Sequence, residues 1–226
     1  MSGENQVNTP GPGGQPTGGE VPPWRLVATL GIFGALAGFL IVFSYVGTQP
    51  RIKAHKAEVL RQAIQEVLKA PARFDTLYVV DGALSEDLPA GQNADLVDQI
   101  YPGYRDDGSR VGFAIQSAEF GFQDLVRVIF GYDPAAKTII GMLVLESKET
   151  PGLGDKIMKD PEFVAAFDGA LVPIVGVKAG SGSGGRDEID MITGATISSR
   201  AVIRIIENAI GRYGPLIESY NGGGSR

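Results

Sequence analysis

The 226-residue chain contains no cysteine and a single histidine, His55. The absence of cysteine excludes disulfides, thiolate catalysis, zinc–thiolate sites and cysteine-ligated iron–sulfur clusters. A single histidine excludes a multi-histidine metal site. Because His55 lies in a charged run beside a long apolar segment, a Ser-His-Asp triad in the body of the protein is excluded as well. Basic residues are outnumbered, with a formal net charge of −6, so we expect no nucleic-acid partner.

The chain carries one long apolar run, residues 26–46, which contains no charged residue. At about 1.5 Å per residue a helix of this length spans the roughly 30 Å hydrocarbon core of a membrane. Trp24 and Tyr45 stand where interfacial aromatics are expected. We therefore predict a transmembrane helix over residues 24–47. A cleaved signal peptide fits less well, because its apolar core is usually about 7–15 residues long and follows a basic segment.

Polar segments flank the apolar run on both sides. Residues 1–23 are rich in Gly, Pro, Asn, Gln and Thr without apolar periodicity, which predicts a disordered tail. Residues 48–71 predict a juxtamembrane amphipathic helix that ends at Pro71. Its apolar face consists of Val59, Leu60, Ala63, Ile64, Val67 and Leu68.

The charges around the apolar run bear on topology. Arg25 is the only basic residue before it, whereas several basic residues follow: Arg51, Lys53, Lys56 and Arg61. A positive-inside count would place the C-terminal part in the cytoplasm. Long domains translocate largely regardless of flanking charge, so the count decides little.

Residues 72–215 predict an α+β domain, a small antiparallel sheet with flanking helices. Segments rich in β-branched residues predict strands at 74–80, 111–117, 125–132, 138–146 and 171–178. Residues 101–104, 106–108 and 133–137 carry turn signals, and residues 83–99 give no clear pattern. A short helix is predicted over 160–167, with Asp160 as its cap and Pro161 in its first position. Residues 216–226 predict a polar tail.

A final helix is predicted over residues 198–212, ended by Gly214 and Pro215. Its apolar stripe consists of Ala201, Val202, Ile205, Ile206, Ala209 and Ile210. The first turn of such a helix offers unpaired N–H groups and positive dipole character, so a phosphate held at Thr196 could rest on it. The simpler interpretation is that Thr196 or Ser198 is an ordinary N-cap, and spacing alone favours that interpretation.

The stretch before this helix reads DMITGAT, residues 190–196. It resembles the D-x-x-[ST]-G-A-T signature of the FMN-binding domain family, which occurs in the G subunit of Rnf-type electron transport complexes and in the C subunit of sodium-pumping NADH:quinone reductases. In that family a flavin transferase attaches FMN through its phosphate to the hydroxyl of the last threonine. The resemblance implies that this residue is Thr196. It also implies that nearby residues help to bind the cofactor: Thr193, Gly194, Ala195 and Ser198.

A second stretch, ETPGLGDK at residues 149–156, resembles the E-T-P-G-x-G loop of the same family. Most Gly-Pro loops are only connectors, but the resemblance implies that this one lies beside the flavin. The cofactor-binding residues it implies are Glu149, Thr150, Pro151, Gly152 and Gly154. Glycines would let a flat ring approach the backbone, and Thr150 with the loop amides would hydrogen-bond its polar edges.

Two departures from the family pattern affect the detail of the pocket. Ser147 stands where family members often have histidine, and residues 121–124 read GFQD where many have G-Y-x-G.

Two nucleotide-binding patterns are also incomplete. Residues 131–138 fall one residue short of a P-loop, and residues 180–185 match G-x-G-x-x-G with no helix predicted directly after them. We therefore expect no direct binding of NAD.

The resemblance implies a G subunit of an Rnf-type complex, which couples redox between ferredoxin and NAD to ion translocation. Its FMN would be covalent and its role an electron relay, with no catalytic acid or base. The expected partners are the other membrane subunits and a flavin transferase. The expected location is a bacterial inner membrane, crossed once, with the C-terminal domain on the periplasmic side, opposite to the charge count.

Three alternatives remain open at this point. The chain could be the C subunit of a sodium-pumping NADH:quinone reductase, which shares the T-G-A-T site. It could be a stand-alone anchored FMN protein that serves an extracellular acceptor. It could also be a membrane-anchored binding or scaffold domain without a redox role, in which T-G-A-T is only a helix cap.

Overall fold

The structure, a computed structural model, describes residues 22–220. The predicted disordered tail therefore lies outside the described residues, apart from its last two positions. The chain divides into two compact units, the first ending at Ala54 and the second beginning at His55.

One helix, α1 (Pro23–Val67), contains 45 residues. Within residues 22–220 it is the single helix long and apolar enough to cross a membrane, as the sequence predicts for its N-terminal half. The sequence predicts two helices, at 24–47 and 48–71, but the structure has one, with Pro50 inside it. The helix continues past Pro50 although this residue has no amide hydrogen to donate. The Thr48 hydroxyl adds hydrogen bonds to the carbonyls of Ser44 and Tyr45, at 2.9 and 3.1 Å.

Seven strands of the described region form one antiparallel sheet in the order β3-β2-β4-β5-β6-β7, with β1 paired to β4. The strands are β1 (Arg73–Phe74), β2 (Leu77–Val80), β3 (Ala83–Ser85), β4 (Gln99–Tyr104), β5 (Arg110–Phe120), β6 (Leu125–Asp133) and β7 (Thr138–Glu146). A 3-10 helix at Ala94–Leu96 precedes β4. The predicted strands at 111–117, 125–132 and 138–146 are confirmed. The first two are parts of longer strands, and the third has the predicted bounds.

The prediction of a turn at residues 101–104 is wrong, because these residues belong to β4. Tyr101 and Tyr104 are buried and pair with β5, so packing outweighs the turn preference of the Pro-Gly pair between them. The predicted strand at 74–80 is interrupted: Asp75 breaks the ladder and donates its N–H to the Pro102 carbonyl at 3.1 Å. The predicted turns at 106–108 and 133–137 are confirmed and join β4 to β5 and β6 to β7.

Helices cover both faces of this sheet. On one face lie α2 (Lys156–Lys159), α3 (Pro161–Ala165) and α4 (Thr196–Ser219), which share a core with the inner side chains of β4 to β7. Asp160 caps α3 as predicted, since its carboxylate accepts hydrogen bonds from the N–H groups of Glu162 and Phe163. The opposite face is covered by the last turns of α1, where Ile64 and Val67 are buried, and by Leu68, the buried residue that follows the helix.

Helix α4 begins two residues earlier and ends later than predicted, since it continues past Gly214 and Pro215 to Ser219. Tyr213, Gly214 and Ile217 are all buried, so packing against the core keeps this last stretch helical. The predicted polar tail 216–226 is therefore helical at its start, and residues 221–226 lie outside the described residues.

A parallel pair, β8 (Val175–Lys178) and β9 (Glu188–Met191), forms a second small sheet. The predicted strand at 171–178 is thus confirmed only in its second half, while Leu171 forms an isolated antiparallel bridge with Thr138. Strand β9 begins after the loop of residues 180–185 and the two residues that follow it, and it leads the chain into the T-G-A-T stretch. The predicted α+β class, with an apolar N-terminal helix and an antiparallel sheet flanked by helices, is confirmed.

Candidate functional site

The T-G-A-T stretch is a tight turn between β9 and α4. The N–H of Ala195 donates to the carbonyl of Ile192 at 3.0 Å, which closes a four-residue turn. Gly194 occupies its third position with a φ of 83°, the value that a type II turn requires there and that glycine adopts most easily. The turn leaves Thr193 and Gly194 exposed to solvent and buries Ala195.

Ser199 fastens this turn to the helix. Its side chain is fully buried, and its Oγ accepts a hydrogen bond from the Ile192 N–H at 3.1 Å and donates to the Ala195 carbonyl at 3.0 Å. The sequence did not predict this role of the Ser199 side chain. The available signal was a hydroxyl residue placed directly before the apolar stripe of the helix, where a buried hydroxyl needs local backbone partners.

The N-terminus of α4 lacks a side-chain cap. The N-cap residue is Ala195, and no side chain accepts a hydrogen bond there, so neither Thr196 nor Ser198 is the ordinary cap that spacing favours. Thr196 is the first residue of the helix, and its side chain is exposed. The free amides of the first turn and the positive end of the helix dipole are the features that bind a phosphate group.

Glu149 links this helix to a distant loop. One carboxylate oxygen, Oε1, accepts hydrogen bonds from the N–H groups of Phe122 and Gln123 at 2.8 and 3.0 Å. The other, Oε2, accepts from the Ser198 hydroxyl at 2.7 Å. Glu149 is only 5% exposed. Its side chain thus faces the protein interior. The sequence predicts that Glu149 is a cofactor-binding residue, and the structure places this residue in a buried position.

The hydrogen bonds around Glu149 control its protonation. Burial by itself raises the pKa of a carboxyl, but the donors Gln123 N–H, Ser198 hydroxyl and Phe122 N–H outweigh burial and hold the pKa of Glu149 below its ordinary value. Glu149 is therefore a carboxylate at neutral pH.

This lowered pKa predicts a pH dependence of stability. The native state binds the proton of Glu149 less readily than the unfolded state, so its stabilising contribution is complete above the ordinary glutamate pKa. The contribution is lost as the pH falls from there through the lower, folded pKa. We expect wild type to be more stable than Glu149→Gln at neutral pH, with the difference shrinking in that acidic window. Chemical unfolding of both proteins at a series of pH values measures the difference, and a gap that stays constant with pH would contradict the prediction.

The E-T-P-G-L-G stretch forms a compact loop before α2. Within this loop, the Gly152 N–H donates a hydrogen bond to Asp155 Oδ1 at 2.7 Å, and the Leu153 N–H donates one to the Thr150 carbonyl at 3.1 Å. The Thr150 hydroxyl donates to Gln123 Oε1 at 2.9 Å, so this loop is tied to the G-F-Q-D loop as well. Pro151 and Gly152 are exposed, as a surface available to a ligand must be.

Gly154 lies against the Glu149 and Ser198 side chains. It is buried, and a Cβ at this position would lie 2.5 Å from Glu149 Oε2 and 2.8 Å from Ser198 Oγ. Its missing side chain makes room for the Glu149–Ser198 hydrogen bond.

Each of three neighbouring segments also exposes a large apolar side chain. Phe122 on the G-F-Q-D loop, Leu153 on the E-T-P-G-L-G loop and Ile197 at the start of α4 are 67%, 53% and 54% exposed. These three side chains were not predicted from the sequence. Exposed apolar groups beside an uncapped helix N-terminus fit a cofactor that has both a phosphate and a flat aromatic ring.

The comparisons with known proteins agree with this geometry. The sequence model of the FMN-binding domain matches residues 121–211, a segment that contains the G-F-Q-D loop, the E-T-P-G-L-G loop and the T-G-A-T turn. Residues 121–211 are thus similar to the FMN-binding domain family. The residues that the structure brings together therefore all lie within the segment that matches the FMN-binding domain.

Relatives also match this chain beyond residues 121–211. The G subunit of an ion-translocating oxidoreductase complex from Methanosarcina acetivorans is 29% identical over 186 residues, which cover 82% of this chain and 92% of the relative. The G subunit of the complex of the same name from Vibrio vulnificus is 28% identical over 186 residues, which cover 80% of this chain and 85% of the relative.

Two solved structures share the fold. The crystal structure of NqrC from Shewanella oneidensis superposes with a TM-score of 0.62 at 16% identity, covering 74% of this chain and all of that one. The C subunit of the Na(+)-translocating NADH-quinone reductase from Parabacteroides distasonis superposes with a TM-score of 0.58 at 21% identity. The superposition covers 76% of this chain and 98% of that one. At these identities the likeness concerns the fold alone.

Proposed function

We propose that this chain is the membrane-anchored flavoprotein subunit of an Rnf-type ion-translocating oxidoreductase complex, and that it carries FMN covalently on Thr196. The observation that carries the proposal is the exposed Thr196 hydroxyl at a helix N-terminus without a side-chain cap. The names of the relatives support the assignment to a complex, and α1 supplies a helix able to anchor the chain.

The attachment is a group transfer in which this chain supplies the nucleophile. The Thr196 oxygen forms an ester bond to the phosphorus of FMN and gives up its proton. A flavin transferase supplies the flavin in an activated form, such as a flavin dinucleotide, whose phosphoanhydride bond breaks and releases a nucleoside monophosphate. The product is a phosphodiester with one negative charge, which the amides of the first helical turn stabilise.

The surrounding residues provide binding and exclusion of water. Thr193, Gly194 and Ala195 form the turn that presents Thr196, while Pro151 and Gly152 offer exposed loop surface. Apolar contact would come from Phe122, Leu153 and Ile197. Once bound, FMN supplies the redox chemistry of a one- or two-electron relay, and the side chains around it tune its potential.

The place of this flavoprotein in the complex follows from its relay role. We propose that it passes electrons among the other membrane subunits, that the complex couples ferredoxin and NAD redox to ion translocation, and that this chain binds no NAD itself. We propose a bacterial inner membrane, crossed once by α1, with the FMN-binding domain on the periplasmic side.

The first test is in-gel flavin fluorescence of the denatured full-length protein, expressed with and without a flavin transferase. A fluorescent band that requires the transferase is the expected result. A dark band, with the transferase shown to label a control protein, would refute covalent attachment. Affinity purification from native membranes then separates the Rnf-type assignment from a sodium-pumping quinone reductase, because the co-purifying subunits differ.

A further inference from the structure

We propose that Glu149 is a positioning residue, which holds three segments of the flavin site in their receptive arrangement without touching the cofactor. The proposal rests on the function proposed above. It assigns Glu149 a role inside the protein, whereas membership of the cofactor-binding set would place it against the flavin.

The first argument is the connectivity of the carboxylate. Its hydrogen bonds join residues far apart in sequence: Phe122 and Gln123 on the loop between β5 and β6, and Ser198 in the first turn of α4. Glu149 itself begins the E-T-P-G-L-G loop. One buried side chain therefore connects all three segments that the FMN-binding domain places around Thr196.

The second argument is that both carboxylate oxygens are engaged inside the protein. Oε1 has two N–H donors, Oε2 has the Ser198 hydroxyl, and only 5% of the residue is exposed. The donors are neutral, so the carboxylate orders backbone and hydroxyl groups rather than pairing with a nearby cation. A group so enclosed acts on a ligand through the segments that it holds.

The third argument is the space around the carboxylate, which two glycines provide. A Cβ at Gly121 would collide with Glu149 Oε1, and a Cβ at Gly154 would crowd Oε2. The backbone of the G-F-Q-D loop and the backbone of the E-T-P-G-L-G loop therefore both lie directly against the carboxylate. A tight backbone enclosure of this kind fixes the two loops relative to the side chain between them.

The groups that face the cofactor are attached to these fixed points. The Phe122 side chain extends from a residue whose N–H binds Glu149, and Thr196 and Ile197 immediately precede Ser198. Loss of the carboxylate would leave two amides and a hydroxyl without their acceptor, in a site where buried donors need one. The loops would then open more often, and the cofactor would meet a disordered surface.

The test compares Glu149→Ala with the isosteric Glu149→Gln, and it uses Glu146→Gln as a matched control. Gln keeps an acceptor oxygen for the two amides, whereas Ala removes it. Glu146 lies three residues upstream, is exposed, and pairs only at 3.7 Å with Arg127. All variants are prepared as full-length chains in detergent, and circular dichroism selects a temperature at which each is folded.

The first readout needs no flavin. Amide hydrogen exchange at Phe122 and Gln123 in the apo protein is expected to accelerate about tenfold or more in Glu149→Ala, because a buried donor has lost its acceptor. It should stay within about threefold of wild type in Glu149→Gln, in which an acceptor remains. Glu146→Gln should leave it unchanged.

The second readout is the rate of flavin attachment by a transferase, read by in-gel fluorescence. Glu149→Ala is expected to lose about tenfold in rate, with substantial rescue by Gln. Wild-type exchange and attachment rates in the Ala variant would overturn the proposal. So would an equal loss of attachment in Gln and Ala while exchange in Gln stays normal, since the carboxylate would then act on the cofactor directly.

Two further arms keep the test decisive. If Glu149→Ala does not fold, Ser198→Ala removes one of the three hydrogen bonds and should give an intermediate attachment rate, and a wild-type rate there would count against the proposal. If the wild-type protein accepts no flavin, the proposed function has failed, but the exchange measurement still decides whether Glu149 orders the two loops.

Discussion

Replacement of Thr196 by alanine is expected to abolish covalently bound flavin. The side chain is exposed at the first position of α4, and the ester bond requires its hydroxyl oxygen. A missing nucleophile cannot be replaced by better binding, so the loss should be complete within detection. In-gel fluorescence of the denatured protein, co-expressed with a flavin transferase, measures the outcome.

The chain offers a matched control in the same turn. Thr193 is also an exposed threonine, three residues away, and Thr193→Ala should retain the fluorescent band. Thr196→Ser should retain it too, because the hydroxyl remains. A band that persists in Thr196→Ala and disappears in Thr193→Ala would move the attachment to Thr193. Bands that persist in both variants would place it elsewhere.

Replacement of Gly131 by alanine is expected to destabilise the domain by about 1–3 kcal/mol, the usual effect of overpacking. Gly131 lies in β6 under the end of α1, and a Cβ there would collide with the Val67 carbonyl oxygen. Ile140 Cβ would lie only 3.1 Å away, so neither side has room to yield. The nearest obstacle is helix backbone, which cannot rotate aside as a side chain can.

The glycines around this position show why the effect should be large. Gly141, paired with Gly131, would also bring a Cβ within 3.2 Å of the Val67 carbonyl oxygen, and at Gly103 the Cβ would lie 2.6 Å from Leu68. Glycines of three strands thus form a glycine seat, which makes room for the last turn of α1 and for Leu68 directly after it. An added methyl group lifts the helix and exposes the apolar contacts of Ile64 and Leu68.

Gly211→Ala is the control for this experiment. Gly211 is exposed inside α4, and a Cβ there would contact nothing within 4 Å. It should stabilise the protein by roughly 0.5–1 kcal/mol, because alanine loses less backbone entropy in a helix. Urea unfolding followed by circular dichroism measures both variants. A Gly131→Ala protein as stable as wild type would refute the glycine seat.

Much of the fold could be predicted because local pattern and final structure agree. Strands β5, β6 and β7 show the β-branched composition of strands in a packed sheet, and Asp160-Pro161 marks the start of α3. The apolar run of α1 is evident from composition alone. Where the sequence failed, packing outweighed local preference, as at Tyr101 and Tyr104 in β4 and at Pro215 within α4.

The candidate site likewise contains residues that the sequence predicts and residues that it does not. Thr196, Gly194 and the E-T-P-G-L-G loop could be predicted because each motif is contiguous in the sequence, where a resemblance can be read. Ser199, Phe122 and Gln123 could not, because their roles depend on partners brought close by the fold. The Glu149 carboxylate binds Phe122 and Ser198, which lie 27 and 49 positions away from it in the sequence. No local sequence pattern indicates such a pairing.

The sequence by itself therefore determined the chemistry: an apolar anchor, a hydroxyl before a helix, and a chain without thiols or a metal-binding histidine set. The tertiary structure alone decided how that chemistry is presented. It buried Glu149 between two glycines, left the helix at Thr196 without a cap, and placed Val67 on Gly131. The physical reason is that hydrogen bonding and close packing between distant segments depend on distances in space, which sequence spacing does not fix.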